Sequence, residues 1–248
     1  MEIKELAIKR SLPDRLFSIA VLLPFAAAIV YLHYGKDVPF DVFIYGSGSW
    51  GFGCILKLAL YQGIFRRLPH DPSHIRRVSA LNGLVSGATE LGLALVVFTF
   101  MPVLSLWDVV GFGVGIGAIE AFLVATTANP LKGTALEKSA VELEAMVARM
   151  TGVRRFVYGY LLPFTERLIA AVIHVGTRGL VYVAYRSANP LPFVIAMAAF
   201  FVADGIIGYR LIHQGRLTEL RVLNLTYGAL AVIALVATAC FLLYWGHG

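Results

Sequence analysis

Stretches of about twenty residues that carry almost no charge recur along this chain, and the short loops that separate them are basic at every second connection. Nothing constrains a fold more. A run of roughly 18 or more apolar residues crosses about 30 Å of hydrocarbon as a helix rising 1.5 Å per residue. Only a helix satisfies every backbone group within one such segment. Seven spans are read: 16–34, 40–64, 78–101, 108–128, 156–185, 192–209 and 225–246. The expectation is an all-α, polytopic membrane protein forming a single transmembrane domain over residues 1–248. With 58% hydrophobic and 15% charged residues and a mean hydropathy of +0.77, the chain has too few charges to cover a soluble surface. That composition also excludes disordered, collagenous and disulfide-built chains.

Basic residues set the expected orientation. Of 21 Lys and Arg residues, sixteen fall at the amino terminus and in the second, fourth and sixth loops. Lys36 and Arg186 alone lie on the opposite side, and Lys57, Arg167 and Arg178 lie inside spans. The positive-inside rule then predicts a multi-pass protein of the inner (plasma) membrane, with the amino terminus cytoplasmic and the carboxyl terminus outside. The amino-terminal apolar run is read as a retained anchor, because it is span-length. Dispersed over four short loops, the basic residues form no aromatic-interleaved face, so nucleic acid is not an expected partner; the lipid bilayer is.

Outside the spans, Thr134 and Glu137 fit a capping box. Leu136, Ala140, Leu143, Val147 and Met150 then recur at helical spacing, which predicts a cytoplasmic amphipathic helix over about 134–150. His70 and His74 stand four apart, but Pro72 between them disfavours a helical metal grip, so that segment is read as a solvated loop. Cys54 and Cys240 fall toward opposite halves of the membrane, and no disulfide is expected. Glycines crowd the second to fourth spans (Gly46, Gly48, Gly51 and Gly53; Gly83 and Gly87; Gly111, Gly113, Gly115 and Gly117). Small residues four apart let backbones approach in lipid. The Gly-Ser-Gly-Ser run at 46–49 has a second reading, a locally broken helix lining a cavity.

The ionisable residues inside spans carry the chemistry. Glu90 lies in the third span, Glu120 in the fourth, Glu166, Arg167, His174 and Arg178 in the fifth, and Asp204 in the sixth. Each charge at membrane depth costs roughly 2.5–3.5 kcal/mol on insertion scales, so four carboxylates require compensation. Lys57 is read as snorkelling to the cytoplasmic interface. At 100° per residue, Arg167, His174 and Arg178 fall within about 40° of one another, with Glu166 roughly 80° from the middle of that stripe. Asn82, Ser86, Thr89 and Glu90 share a face of the third span. Two polar stripes must face each other or water, so spans three to six are expected to enclose a polar cluster. A buried ion-pair network without chemistry, a general-base hydrolytic site and a proton relay all use such groups.

The ordered motifs Ala88-Thr89-Glu90-Leu91-Gly92, Gly113 to Ala121 with Glu120, and Glu166-Arg167-Leu168 with His174 resemble the YhfC-type intramembrane peptidases. These belong with the CAAX-protease-like (CPBP) and PrsW-like superfamily, and the likeness covers about residues 78–208. The resemblance implies Glu120, Glu166 and His174 as catalytic candidates, with Glu90, Arg167, Arg178, Asp204 and Asn82 lining the cavity. Glu120 would act as base and His174 would stabilise an oxyanion. The chain departs from the pattern at four places. Thr89 replaces the first of paired glutamates, Leu93 an arginine, Ile116 a histidine, and Phe200 a histidine four residues before Asp204. A divalent metal would suit the family, but no set of three ligands is evident, and the cofactor is left unassigned.

Three functions follow from this reading. One is an intramembrane peptidase cleaving membrane-bound or lipidated peptides through a glutamate- and histidine-activated water. The alternative is a catalytically inactive pseudo-peptidase that binds a membrane protein as a scaffold, as the multi-pass scaffold subunit of gamma-secretase does in that superfamily. The third, a proton-coupled transporter, comes last, because no inverted repeat is visible and seven spans do not divide evenly.

Overall fold

The computed structural model describes residues 17, 19–64, 75–126, 137–213 and 219–247, and among them the protein is all-helical. The helices are α1 (Leu23–Gly35), α2 (Phe40–Ile64), α3 (Ile75–Phe100), α4 (Leu106–Thr126), α5 (Glu137–Arg149) and α6 (Gly152–Phe156). A π-helical turn, Val157–Leu161, leads into α7 (Leu162–Ser187), followed by α8 (Pro190–His213) and α9 (Leu220–Gly246). The predicted 134–150 helix is α5, with Glu142 and Arg149 exposed and Leu143, Val147 and Met150 half-buried. Thr134, Leu136 and the His70–His74 segment lie outside the described residues.

Among the described residues, five helical stretches are long and apolar enough to cross a membrane: Arg77–Phe100, Leu106–Thr126, Gly152–Ser187, Pro190–Ile207 and Leu220–Gly246. Two of the seven expected spans are not among them. α1 has 13 residues. α2 has 25, but Asp41, Lys57 and the Gly46–Ser49 run dilute its apolar character.

α7 forms the centre, packed against α3, α4, α8 and α9, while α2 lies against α3 and α4. Backbone contact explains much of the glycine content. A Cβ at Gly46 would sit 2.1 Å from the Phe112 carbonyl oxygen, and one at Gly115 would sit 2.4 Å from that of Phe43. α2 runs unbroken through Gly46–Ser49, which decides against a broken helix there. The serines satisfy themselves on main-chain oxygens: Ser47 Oγ lies 2.9 Å from both the Phe43 and Gly115 carbonyls, and Ser49 Oγ donates to Gly46 at 2.8 Å.

The two halves of the bundle differ in kind. Toward the end that carries Phe100, Leu106 and Ser187, the interior is apolar and aromatic. Phe98 packs on Phe112 at 4.6 Å and edge-on to Tyr182 at 5.2 Å, and Tyr182 stacks on Trp245 at 5.9 Å. Tyr182 spends its hydroxyl on the loop between α3 and α4, accepting from Leu104 N–H at 2.7 Å and donating to the Leu104 carbonyl at 3.2 Å. The charged residues occupy the other half.

Candidate functional site: two ion-paired groups around α7

Glu90 on α3 and Arg178 on α7 each lie about 14 Å along their helices from the aromatic end, near the middle of a bilayer-sized bundle. Arg178 is wholly buried at 0% exposure. Its Nη2 donates to Glu90 Oε2 at 2.9 Å and its Nη1 to Thr177 Oγ1 at 3.1 Å. The guanidinium carbon stands 4.6 Å from the centre of the Phe200 ring, which supplies a π face where water would otherwise solvate the cation.

The same group continues toward α2 and α8. Lys57 Nζ donates to Asp204 Oδ2 at 3.1 Å and lies 3.8 Å from Glu90 Oε1. The Ser86 hydroxyl sits among them, accepting from Lys57 and donating its single proton to either Asp204 or Glu90, the latter at 3.3 Å. Lys57 therefore does not snorkel to the interface. Its ammonium turns inward, because two carboxylates from other helices lie within reach at the same depth. The Lys57 and Asp204 side chains remain 25% and 23% exposed, so this group opens to the surface between α2 and α8.

A second group lies on the α4 side of α7. Glu120 uses both carboxylate oxygens: Oε1 accepts from Arg167 Nη1 at 3.0 Å and Oε2 meets His174 Nε2 at 3.0 Å. An ionised carboxylate only accepts, so His174 Nε2 carries the proton in that contact. Arg167 also binds its chain neighbour Glu166 through Nε at 3.0 Å and through Nη2. The Glu120 and Glu166 side chains are about a quarter exposed, whereas His174 is buried.

Sequence reasoning placed Glu120, Glu166, Arg167, His174, Glu90, Arg178 and Asp204 in one cluster over the third to sixth spans. The structure divides them into the two groups above and adds α2 through Lys57. Asn82 is half-buried and joins neither group. Thr89 turns its hydroxyl back onto the Val85 carbonyl at 2.8 Å. Both cysteines are free. Among the described residues, no three His, Cys, Asp or Glu side chains converge as ligands for a metal ion. Two buried polar atoms beside the groups lack a hydrogen-bond partner: His174 Nδ1 and Arg178 Nε.

No protein-family model, curated protein or solved structure matches this chain. The functional reading therefore rests on the residues themselves.

Proposed function

We propose that this chain is a seven-span protein of the inner (plasma) membrane, with its amino terminus cytoplasmic, and that it is a pseudo-peptidase that binds a membrane-protein or peptide partner without cleaving it. The observation that carries this reading is that all four carboxylates in the two groups are engaged by cations or by His174. Glu120, the residue the YhfC-type resemblance would use as base, is held on one oxygen by Arg167 and on the other by His174. Each oxygen thus already accepts one of the two hydrogen bonds it can take, which leaves less of the carboxylate free to orient and activate a water. Phe200 stands where the resemblance expects a histidine, and it packs on the Arg178 cation instead. Lys57 and Asp204, a quarter exposed between α2 and α8, offer a partner's transmembrane segment one donor and one acceptor at membrane depth.

One observation favours a hydrolase as the second reading. With Nε2 bound to Glu120, His174 keeps Nδ1 uncommitted, which is the arrangement of a carboxylate-oriented general base. The aromatic closure of the opposite half favours either reading over a proton-coupled carrier.

One experiment separates the two. Wild type and Glu120→Gln are purified in mild detergent, and co-purifying proteins are identified by mass spectrometry. The same intact membrane protein with both forms is the expected result. A protein retained intact by Glu120→Gln but recovered as fragments with wild type would establish a peptidase. Loss of that cleavage in His174→Ala would then assign the base.

A further inference from the structure

His174 and Arg178 are one turn apart on α7, so their Cβ atoms are about 5–6 Å from each other. His174 belongs to the Glu120 group and Arg178 to the Glu90 group. Each turns one nitrogen into the interior with no partner: His174 Nδ1 and Arg178 Nε. The Phe200 ring borders both, 6.1 Å from the imidazole centre and 4.6 Å from the guanidinium carbon.

The two free atoms are chemically complementary. Arg178 Nε–H only donates. With the imidazole neutral and its proton on Nε2 facing Glu120, His174 Nδ1 accepts. Buried polar atoms in folded proteins are nearly always satisfied by protein or by an ordered water. The two atoms are not bonded to each other, and a water between them would make two hydrogen bonds of about 2.8–2.9 Å.

We propose that one buried water is bound between His174 and Arg178 beside Phe200, accepting from Arg178 Nε–H and donating to His174 Nδ1. These two bonds meet the lower end of the two-to-four partners that a buried water requires, and the water keeps one proton for a further acceptor. It joins the two groups into one hydrogen-bonded chain running from Asp204 and Lys57 through Glu90 and Arg178 to His174, Glu120, Arg167 and Glu166. A neutral His174 is part of the proposal. An imidazolium would place N–H donors on both sides and leave the water facing two donors. The site is independent of whether the protein cleaves its partner.

Hydroxyl-radical footprinting of the wild-type protein in nanodiscs tests the site, because radicals generated from bound water label adjacent side chains. Phe200 is 4% exposed, bracketed by Phe43 at 3% and Phe25 at 5%, and of the three rings only Phe200 borders His174 and the Arg178 guanidinium. Phe200 is expected to be labelled several-fold faster than either. Labelling no faster than Phe43 and Phe25 would overturn the proposal. A second measurement locates the water. In ¹⁵N-histidine-labelled protein, with the His174 signal assigned by its loss in His174→Gln, the ring is expected as the neutral Nε2–H form with a water cross-peak at Nδ1. A protonated Nδ1, or no water cross-peak, would overturn the site.

Discussion

Arg178 illustrates what a single side chain does in this bundle. Moving a guanidinium out of water costs far more than a hydrogen bond returns, so its partners decide whether it stabilises anything. Here Glu90, Thr177 and the Phe200 ring surround it. Removing one member of such a pair strands the other charge, which typically costs about 3–5 kcal/mol. Arg178→Met and Glu90→Gln are each expected to lower the unfolding midpoint in bicelles strongly. The double variant, which leaves no unpaired charge, is expected to recover a large part of the loss. Additive losses in the double variant would show that the two residues are not energetically coupled. Lys57→Met should cost less than Arg178→Met, because a quarter of the Lys57 side chain already reaches the surface and Ser86 remains as a donor to Asp204.

Helices meet here through glycine, and the glycines are not equivalent. Gly46 faces the α4 backbone so closely that a Cβ has no room, whereas Gly48 and Gly51 on the same helix meet nothing within 4 Å. Gly46→Ala is expected to push α2 off α4 and destabilise the protein. Gly48→Ala is expected to be neutral or stabilising by up to about 1 kcal/mol, the helix-propensity difference between the two residues. Thermal unfolding of the two variants side by side checks both. Equal effects would mean that α2 does not pack on α4 through Gly46. Spacing along α7 was enough to align Arg167, His174 and Arg178, because helical geometry is local. It gave no account of how that stripe divides between Glu120 and Glu90, since the division follows from α4 and α3 packing on different sides of α7. Lys57 was misplaced for the same reason. Its distance from a helix end is readable along α2, but the Asp204 carboxylate that draws it inward arrives from α8. For the Gly-Ser-Gly-Ser run the sequence leaves close packing and a local break both open, because small residues serve either. In the structure it is where α2 approaches α4, and the Ser47 hydroxyl reaches the Gly115 carbonyl.

Across the whole molecule, polarity is one-sided: the ion pairs lie between mid-bundle and the end carrying Ile75 and Leu162, and the aromatic residues close the other end. The same asymmetry appears in the loops, where sixteen of the 21 basic residues belong to the side that the proposed arrangement makes cytoplasmic. The partly exposed carboxylates would then face cytoplasmic water, which is where a charged group at membrane depth costs least. This arrangement makes a topological commitment that α1 and α2 decide. If both cross the membrane, as proposed, Lys36 between them lies outside and Glu142 on α5 lies inside. If only the five long apolar stretches cross, Lys36 falls on the same side as Glu142. Single-cysteine reporters at Lys36 and Glu142, in a background lacking Cys54 and Cys240, distinguish the cases with a membrane-impermeant maleimide. Labelling of the Lys36 reporter in intact cells, with the Glu142 reporter labelled only after permeabilisation, is the expected outcome. Protection of both in intact cells would reduce the spans to five. The reverse pattern would invert the protein and turn the opening between α2 and α8 away from the cytoplasm.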